Sequence, residues 1–202
     1  QDASLRLLQS FEREPNYNVT LLTLWDEHTL LCCSRWQGLL LLDLKTGKYN
    51  PPPFDCGKEI MNIFIDSQKR IWVAPYNGGL NCLTRDGKLL ATYTTRNSSL
   101  SNNVVLSLAE REGQIWIGTD GGGINSFDQK TNTFHHYPTT YGEKVTSITD
   151  FSENELLLSC FNKGVFTFNK RTAQMQPFPI INDSISKREF SSGDLVNLYA
   201  AK

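Results

Sequence analysis

Four stretches of this chain align on one another without gaps. They are TLLCCSRWQGLLLLD (29–43), RIWVAPYNGGLNCLT (70–84), QIWIGTDGGGINSFD (114–128) and ELLLSCFNKGVFTFN (155–169). Each carries an anchor glycine, at Gly38, Gly79, Gly123 and Gly164, spaced by 41, 44 and 41 residues. A recurrence at that interval is the strongest constraint in the sequence, because each repeat must form one unit that packs against its neighbours. A period of about 40–45 residues is that of a four-stranded propeller blade.

The third repeat reads as four strands in sequence: NVVLSLAE, QIWIGT, GGINSFD and TFHHYP. Glu112-Gly113, Asp120 to Gly123 and Gln129 to Asn132 separate them with turn chemistry. Period two places Val104, Leu106 and Leu108 on one face of the first strand. The anchor glycine is expected to supply a positive φ or a close backbone approach between strands two and three. Second strands are apolar on both faces, as in Ile71-Trp72-Val73, Ile115-Trp116-Ile117 and Leu156-Leu157-Leu158. A strand solvated on one side would alternate, whereas a blade held between two neighbours would not. Trp72 and Trp116 are therefore read as core between blades. Helical periodicity is missing, and Gly, Asn, Pro and Thr interrupt too often for it.

The expected fold class is all-β: a β-propeller of about four four-stranded antiparallel blades. The expected boundaries are an outer strand of a preceding blade at 1–17, blades at 18–58, 59–102, 103–143 and 144–182, and the start of another blade at 183–202. Ser4 to Phe11 resembles an outermost strand and Asp194 to Ala200 an innermost one, so the two would not pair side by side. That predicts an incomplete arc of a larger ring, of about seven blades by the usual range for propellers.

Composition removes several function classes. The net charge is -1, with 20% charged and 39% hydrophobic residues. A nucleic-acid partner would call for a basic field, and no such field is present. No apolar run reaches the roughly 18 residues of a membrane-spanning helix. The five cysteines, Cys32, Cys33, Cys56, Cys82 and Cys160, lack CxxC spacing, and four of them sit in apolar runs where a free thiol packs as a small hydrophobe.

The segment IWIGTDGGGINSFDQKTNTFHHY (115–137), with its lead-in SSLSNNVVLSL (98–108), resembles the two-component regulator propeller repeat. The likeness lies in a hydrophobic-Trp-hydrophobic-Gly-Thr strand, a Gly-Gly-aliphatic turn and an aromatic-Asp pair. Residues 70–80 keep the Trp and Gly-Gly-Leu but carry Ala74-Pro75 in place of Gly-Thr, and the first and fourth repeats have Leu31 and Leu157 at the Trp position. The resemblance implies the periplasmic sensor region of a hybrid two-component system. It further implies a β-sandwich, a membrane span, a histidine kinase and often a response regulator elsewhere in the protein, a homodimer, and oligosaccharides from polysaccharide breakdown as signals. This segment itself is expected to be no enzyme and to need no cofactor. Two readings compete: a WD40-like structural or protein-interaction propeller, and part of a propeller glycosidase or lyase. Trp25-Asp26 is the one WD dipeptide, without counterparts in the other repeats. No acid–nucleophile set can be assembled.

Loops joining strands two and three should meet on one rim, where recognition concentrates on a constant scaffold. Alignment on the anchor glycine gives one position to Arg35, Tyr76, Asp120 and Phe161, and the next to Trp36, Asn77, Gly121 and Asn162. Aromatic faces beside amides and charges suit sugars, so Arg35, Trp36, Tyr76, Asn77, Asp120, Phe161 and Asn162 are the candidate ligand-binding residues. Trp36, Tyr76 and Phe161 are expected to face a shared cleft. His135-His136 would point to opposite faces of a strand and is not read as a metal site. His28 is expected to be solvated in its turn. Asp26, Asp66, Glu110 and Asp150 are expected to cap turns at the ends of first strands, with no paired carboxylates at catalytic spacing.

Overall fold

The computed structural model describes residues 17–34, 37–139 and 144–178, so the expected flanking strands at 4–11 and 194–200 lie outside the described residues. Among the described residues, sixteen strands form four antiparallel sheets of four. The first holds β1 (Leu21–Asp26), β2 (Thr29–Ser34), β3 (Gly38–Asp43) and β4 (Tyr49–Asn50). The second holds β5 (Ile60–Ile65), β6 (Ile71–Pro75), β7 (Leu80–Leu83) and β8 (Leu89–Tyr93). In the third are β9 (Val105–Arg111), β10 (Gln114–Thr119), β11 (Ile124–Asp128) and β12 (Thr133–Tyr137). The fourth comprises β13 (Val145–Asp150), β14 (Glu155–Cys160), β15 (Gly164–Asn169) and β16 (Met175–Pro177). Each sheet is a simple meander, as short strands joined by tight turns require. The described residues contain no helix.

Side chains of β6 and β10, the second strands of the two middle blades, alternate between the blade before and the blade after. Leu31 and Cys33 share a core with Ile60, Ile71 and Val73 of the second sheet. Trp72 and Ala74 share one with Val105, Ile115 and Ile117 of the third. Trp116 packs with Val145, Leu156 and Leu158 of the fourth. This is why the second strands do not alternate in polarity: both faces are interiors. Trp72 and Trp116 are buried, and each sits in an aromatic cluster: Trp72 on Tyr93 and Phe127, Trp116 on Tyr137 and Phe168. Together these relations make the described residues a β-propeller arc of four blades, stacked in chain order.

The first strands depart from simple period two. Pairing skips one residue at Met61, Leu106 and Thr146, giving the same β-bulge near the start of β5, β9 and β13. Val105 and Leu108 consequently join one core, and the expected grouping of Val104, Leu106 and Leu108 is replaced. The bulge turns Ile60, Val105 and Val145 into the preceding interface, where all are buried. It also ties blades near their inner edges: Asn62 Nδ2 donates to the Leu106 carbonyl and Ser107 Oγ to the Val145 carbonyl. A Cβ on Gly118 would meet Ser107 Oγ at 2.2 Å and the Val145 carbonyl oxygen at 2.6 Å, so this tie leaves room only for glycine. The inner strands of all four blades line one cavity of about 510 Å³, with Leu21, Asn62, Phe64, Ser107 and Thr146 among its walls.

Candidate ligand rim

In the second, third and fourth blades the loop after the second strand is held by the same backbone bond. Tyr76 donates its N–H to the Glu59 carbonyl, Asp120 to that of Val104, and Phe161 to that of Lys144. Each bond pins the loop to the start of its own blade's first strand, so Tyr76, Asp120 and Phe161 occupy one structural position. Tyr76 and Phe161 are 55% and 42% exposed, large apolar surfaces on a rigid frame. Asp120 is partly covered and pairs with Lys144 Nζ at 3.0 Å, which joins the third blade to the fourth. Arg35 and Trp36 lie outside the described residues.

The following position has a backbone reason for its residue types. Asn77 and Asn162 have φ of 53° and 59°, and Gly121 has 82°. A left-handed conformation favours Gly and Asn, so these identities follow from the turn whether or not a ligand is near. The anchor glycines behave as expected, with φ of 89°, 76°, 75° and 94° at Gly38, Gly79, Gly123 and Gly164.

A cavity of about 640 Å³ opens between the first blade's β2–β3 turn and the loop to the second blade. Gln37, Gly38 and Leu39 face Pro51, Pro52, Pro53 and Phe54 across it. Repeat alignment singles out Gly38 but none of Pro51, Pro52, Pro53 and Phe54, because the linker falls outside the aligned core; the Pro51-Pro52-Pro53 run is the available signal. Tyr76, Asp120 and Phe161 do not line this cavity.

At the opposite end of the strands, turns hold polar networks between blades. Asp66, expected to cap a turn, is 2% exposed and does more than that. It accepts from the Arg70 N–H, from Arg70 Nε at 2.7 Å and from Trp72 Nε1 at 2.9 Å. Arg70 also bonds Gln129, whose amide nitrogen donates to Glu110, which accepts from Ser67. Glu110 therefore works within β9 as an inter-blade acceptor rather than as a cap. Asp26 does cap its turn, accepting the His28 N–H, and that bond holds its carboxyl below the usual range. Asp150 pairs with Arg111 at 3.2 Å.

His135 and His136 sit on the exposed outer strand β12, and His136 Nε2 lies 2.9 Å from the Gly122 carbonyl. Among the described residues no group of three or more His, Cys, Asp and Glu is placed to hold a metal ion. The five cysteines are free thiols. Burial pushes the Cys33 thiol up to about 12 and those of Cys56 and Cys82 up to about 11, which suppresses the reactive thiolate. No helix among the described residues is long and apolar enough to cross a membrane.

Residues 99–121 match the family described as two-component regulator propeller. The match takes in the lead-in and the Trp116-containing strand and stops before the third strand. No curated protein sequence matches the chain. Among solved structures, the chain is similar to the extracellular domain of the hybrid two-component system BT3049 of B. thetaiotaomicron, with 20% identity over 82% of this chain and 22% of that one, and a TM-score of 0.64. It is similar to the extracellular domain of BT4673 of the same organism, with 23% identity over 93% of this chain and 26% of that one, and a TM-score of 0.68. The WD40 repeats of RRP9 align at 13% identity over 82% of this chain and 52% of that one, with a TM-score of 0.64. At these identities the likenesses establish the propeller fold. The chain spans 22% to 26% of the length of the two B. thetaiotaomicron domains.

Proposed function

We propose that this chain, which carries a two-component regulator propeller repeat at residues 99–121 and folds as a four-bladed arc, is a ligand-sensing segment of an extracytoplasmic sensor in a two-component system. The family match is the observation that carries this reading. The likeness to two extracellular two-component domains supports it. The segment's role is recognition rather than catalysis, and its ligands are oligosaccharides released in polysaccharide breakdown.

Recognition is assigned to the rim bearing Tyr76 and Phe161, where exposed rings stand on hydrogen-bonded loops beside the Asp120–Lys144 pair. Ring faces stack on sugar C–H groups, and carboxylate and ammonium groups bond hydroxyls. Signalling would follow from differential binding: a glycan that prefers one arrangement of the sensor dimer shifts it toward that state by the ratio of its two affinities. Periplasmic location, a β-sandwich partner and a downstream histidine kinase belong to the same proposal.

Calorimetry of the chain against a panel of plant and host oligosaccharides tests it. Saturable binding that weakens at least tenfold in Tyr76→Ala and Phe161→Ala supports the rim. Binding unchanged in both variants moves recognition elsewhere, and silence across the panel in the complete ectodomain removes the sensor reading in favour of a structural propeller.

A further inference from the structure

Arg85, Gln129 and Lys170 hold one repeat position, six residues after the anchor glycine, and each lies at the interface with the blade before it. In two interfaces the group finds partners. Arg85 lies over the Trp25 ring at 3.4 Å and donates to the Trp25 carbonyl at 2.6 Å. Gln129 bonds both Arg70 and Glu110. The third interface has two buried nitrogens without an acceptor, where the Arg85 interface has one, Arg85 Nη1. Lys170 Nζ is shut off from solvent and has no hydrogen-bond acceptor, its nearest carboxylate being Glu112 Oε2 at 3.7 Å. Arg111 Nε is likewise buried without an acceptor, with Glu112 Oε1 at 3.4 Å in poor geometry. Both cations line a cavity of about 270 Å³ together with Gln114, Trp116 and Asn154.

A buried ammonium or guanidinium N–H without an acceptor is costly, so two converging on one cavity, with the nearby buried Asp150 Oδ1 bonded to neither, mark a place where a well-placed acceptor oxygen is missing. Glu112 fills that place poorly. Its side chain is 59% exposed, it sits at φ 54° in a Glu-Gly turn, and it reaches both cations only at ion-pair range. A carboxylate so placed is free to swing into solvent and yield its position to another. The cavity is roomy enough for a small organic acid, and the amides of Gln114 and Asn154 can serve hydroxyl groups.

We infer that the cleft between the third and fourth blades binds a small hydroxylated carboxylate, whose carboxylate displaces Glu112 from Lys170 and Arg111. The site is at the opposite end of the strands from the Tyr76–Phe161 rim and stands or falls independently of it. The charged groups facing it are Arg111, Lys170 and Arg171 against Glu112 and Glu153, with Asp150 bound to Arg111 from behind. Selectivity for one negative charge follows, since the resident acids repel a second.

The test is calorimetric titration of the 202-residue chain with D-gluconate, beside D-glucitol as its uncharged counterpart and inorganic sulfate as a bare anion. Gluconate should bind saturably and at least tenfold more tightly than glucitol. Glu112→Gln, at an exposed turn, should tighten gluconate at least threefold, because the internal competitor is gone. Lys170→Met, which keeps the stem, should weaken it at least tenfold. A purely structural ion pair would give no such tightening. The inference is overturned if gluconate fails to bind the wild-type chain and Glu112→Gln, if glucitol binds as well as gluconate, or if sulfate matches gluconate. Should Lys170→Met fail to fold, the Glu112→Gln response decides alone.

Discussion

Trp72 donates its indole N–H to Asp66 across 2.9 Å, and neither residue reaches solvent. The bond joins the residue just after a first strand to the start of the second within one blade. Asp66 also holds Arg70, whose guanidinium stands 5.3 Å from the Trp72 ring centroid. Through Gln129 and Glu110 the same network crosses to the third blade. Packing and polar satisfaction thus act on the same pair of blades.

Removing Asp66 leaves Arg70 and the indole N–H without their shared acceptor. Asp66→Ala is expected to lower unfolding free energy by about 3–5 kcal/mol, the range for orphaning a buried charge partner. Trp72→Phe keeps most of the apolar volume and loses one donor, so it should cost about 1–2 kcal/mol. Urea denaturation followed by circular dichroism measures both. Equal losses in the two variants would contradict the network.

Gly79 and Gly113 separate two causes of glycine preference. Both have positive φ, 76° and 77°. A Cβ at Gly79 would fall 2.1 Å from the Tyr93 carbonyl oxygen, whereas one at Gly113 meets nothing within 4 Å. Gly113→Ala should cost about 1 kcal/mol from its left-handed backbone alone. Gly79→Ala carries a backbone clash as well and should cost at least about 3 kcal/mol, the scale of the large single-mutation effects. Comparable denaturation midpoints for the two would show that the hairpin yields.

Much of this architecture could be read from the chain because the repeat forces it. The four anchor glycines and the doubly apolar second strands reflect constraints that every blade must meet, so they recur in register. The bulge at Met61, Leu106 and Thr146 is hidden in the sequence, since the skipped residues share no residue type that would mark them. Asp66 looks like a turn cap in the sequence because its own blade supplies the visible partner at Arg70, while Gln129 and Glu110 belong to the next blade. The rim residues were found by their variation, but variation alone does not distinguish Asn77, fixed by its φ, from Tyr76, whose ring is free.

Alkaline titration should weaken the fold through its buried thiols. The Cys33 thiol is raised from 9.0 to about 12 and that of Cys82 to about 11, burial being the leading cause in each. The unfolded chain ionises first, so the stability these thiols contribute is full below pH 9.0 and is lost as pH rises toward their folded values. Each should account for a loss of roughly 1.4 kcal/mol by about pH 10. Urea midpoints between about pH 8 and pH 10 should fall less steeply in Cys33→Ala and Cys82→Ala than in the parent. Parallel slopes would mean that the thiolates are tolerated in the folded state.

Asn77 offers a test that keeps backbone and ligand roles apart. Its φ of 53° is comfortable for Gly and unfavourable for Ala. Asn77→Gly should leave stability within about 0.5 kcal/mol of the parent, whereas Asn77→Ala should cost about 1 kcal/mol. If the amide also bonds a sugar hydroxyl beside Tyr76, then Asn77→Gly should lose about tenfold in oligosaccharide affinity while its denaturation midpoint stays put. If affinity in Asn77→Gly is unchanged, Asn77 shapes the loop and the exposed ring of Tyr76 is left to do the recognising. Paired denaturation and calorimetry on the same two variants separate these outcomes, because a backbone effect moves the midpoint and a recognition effect moves the affinity.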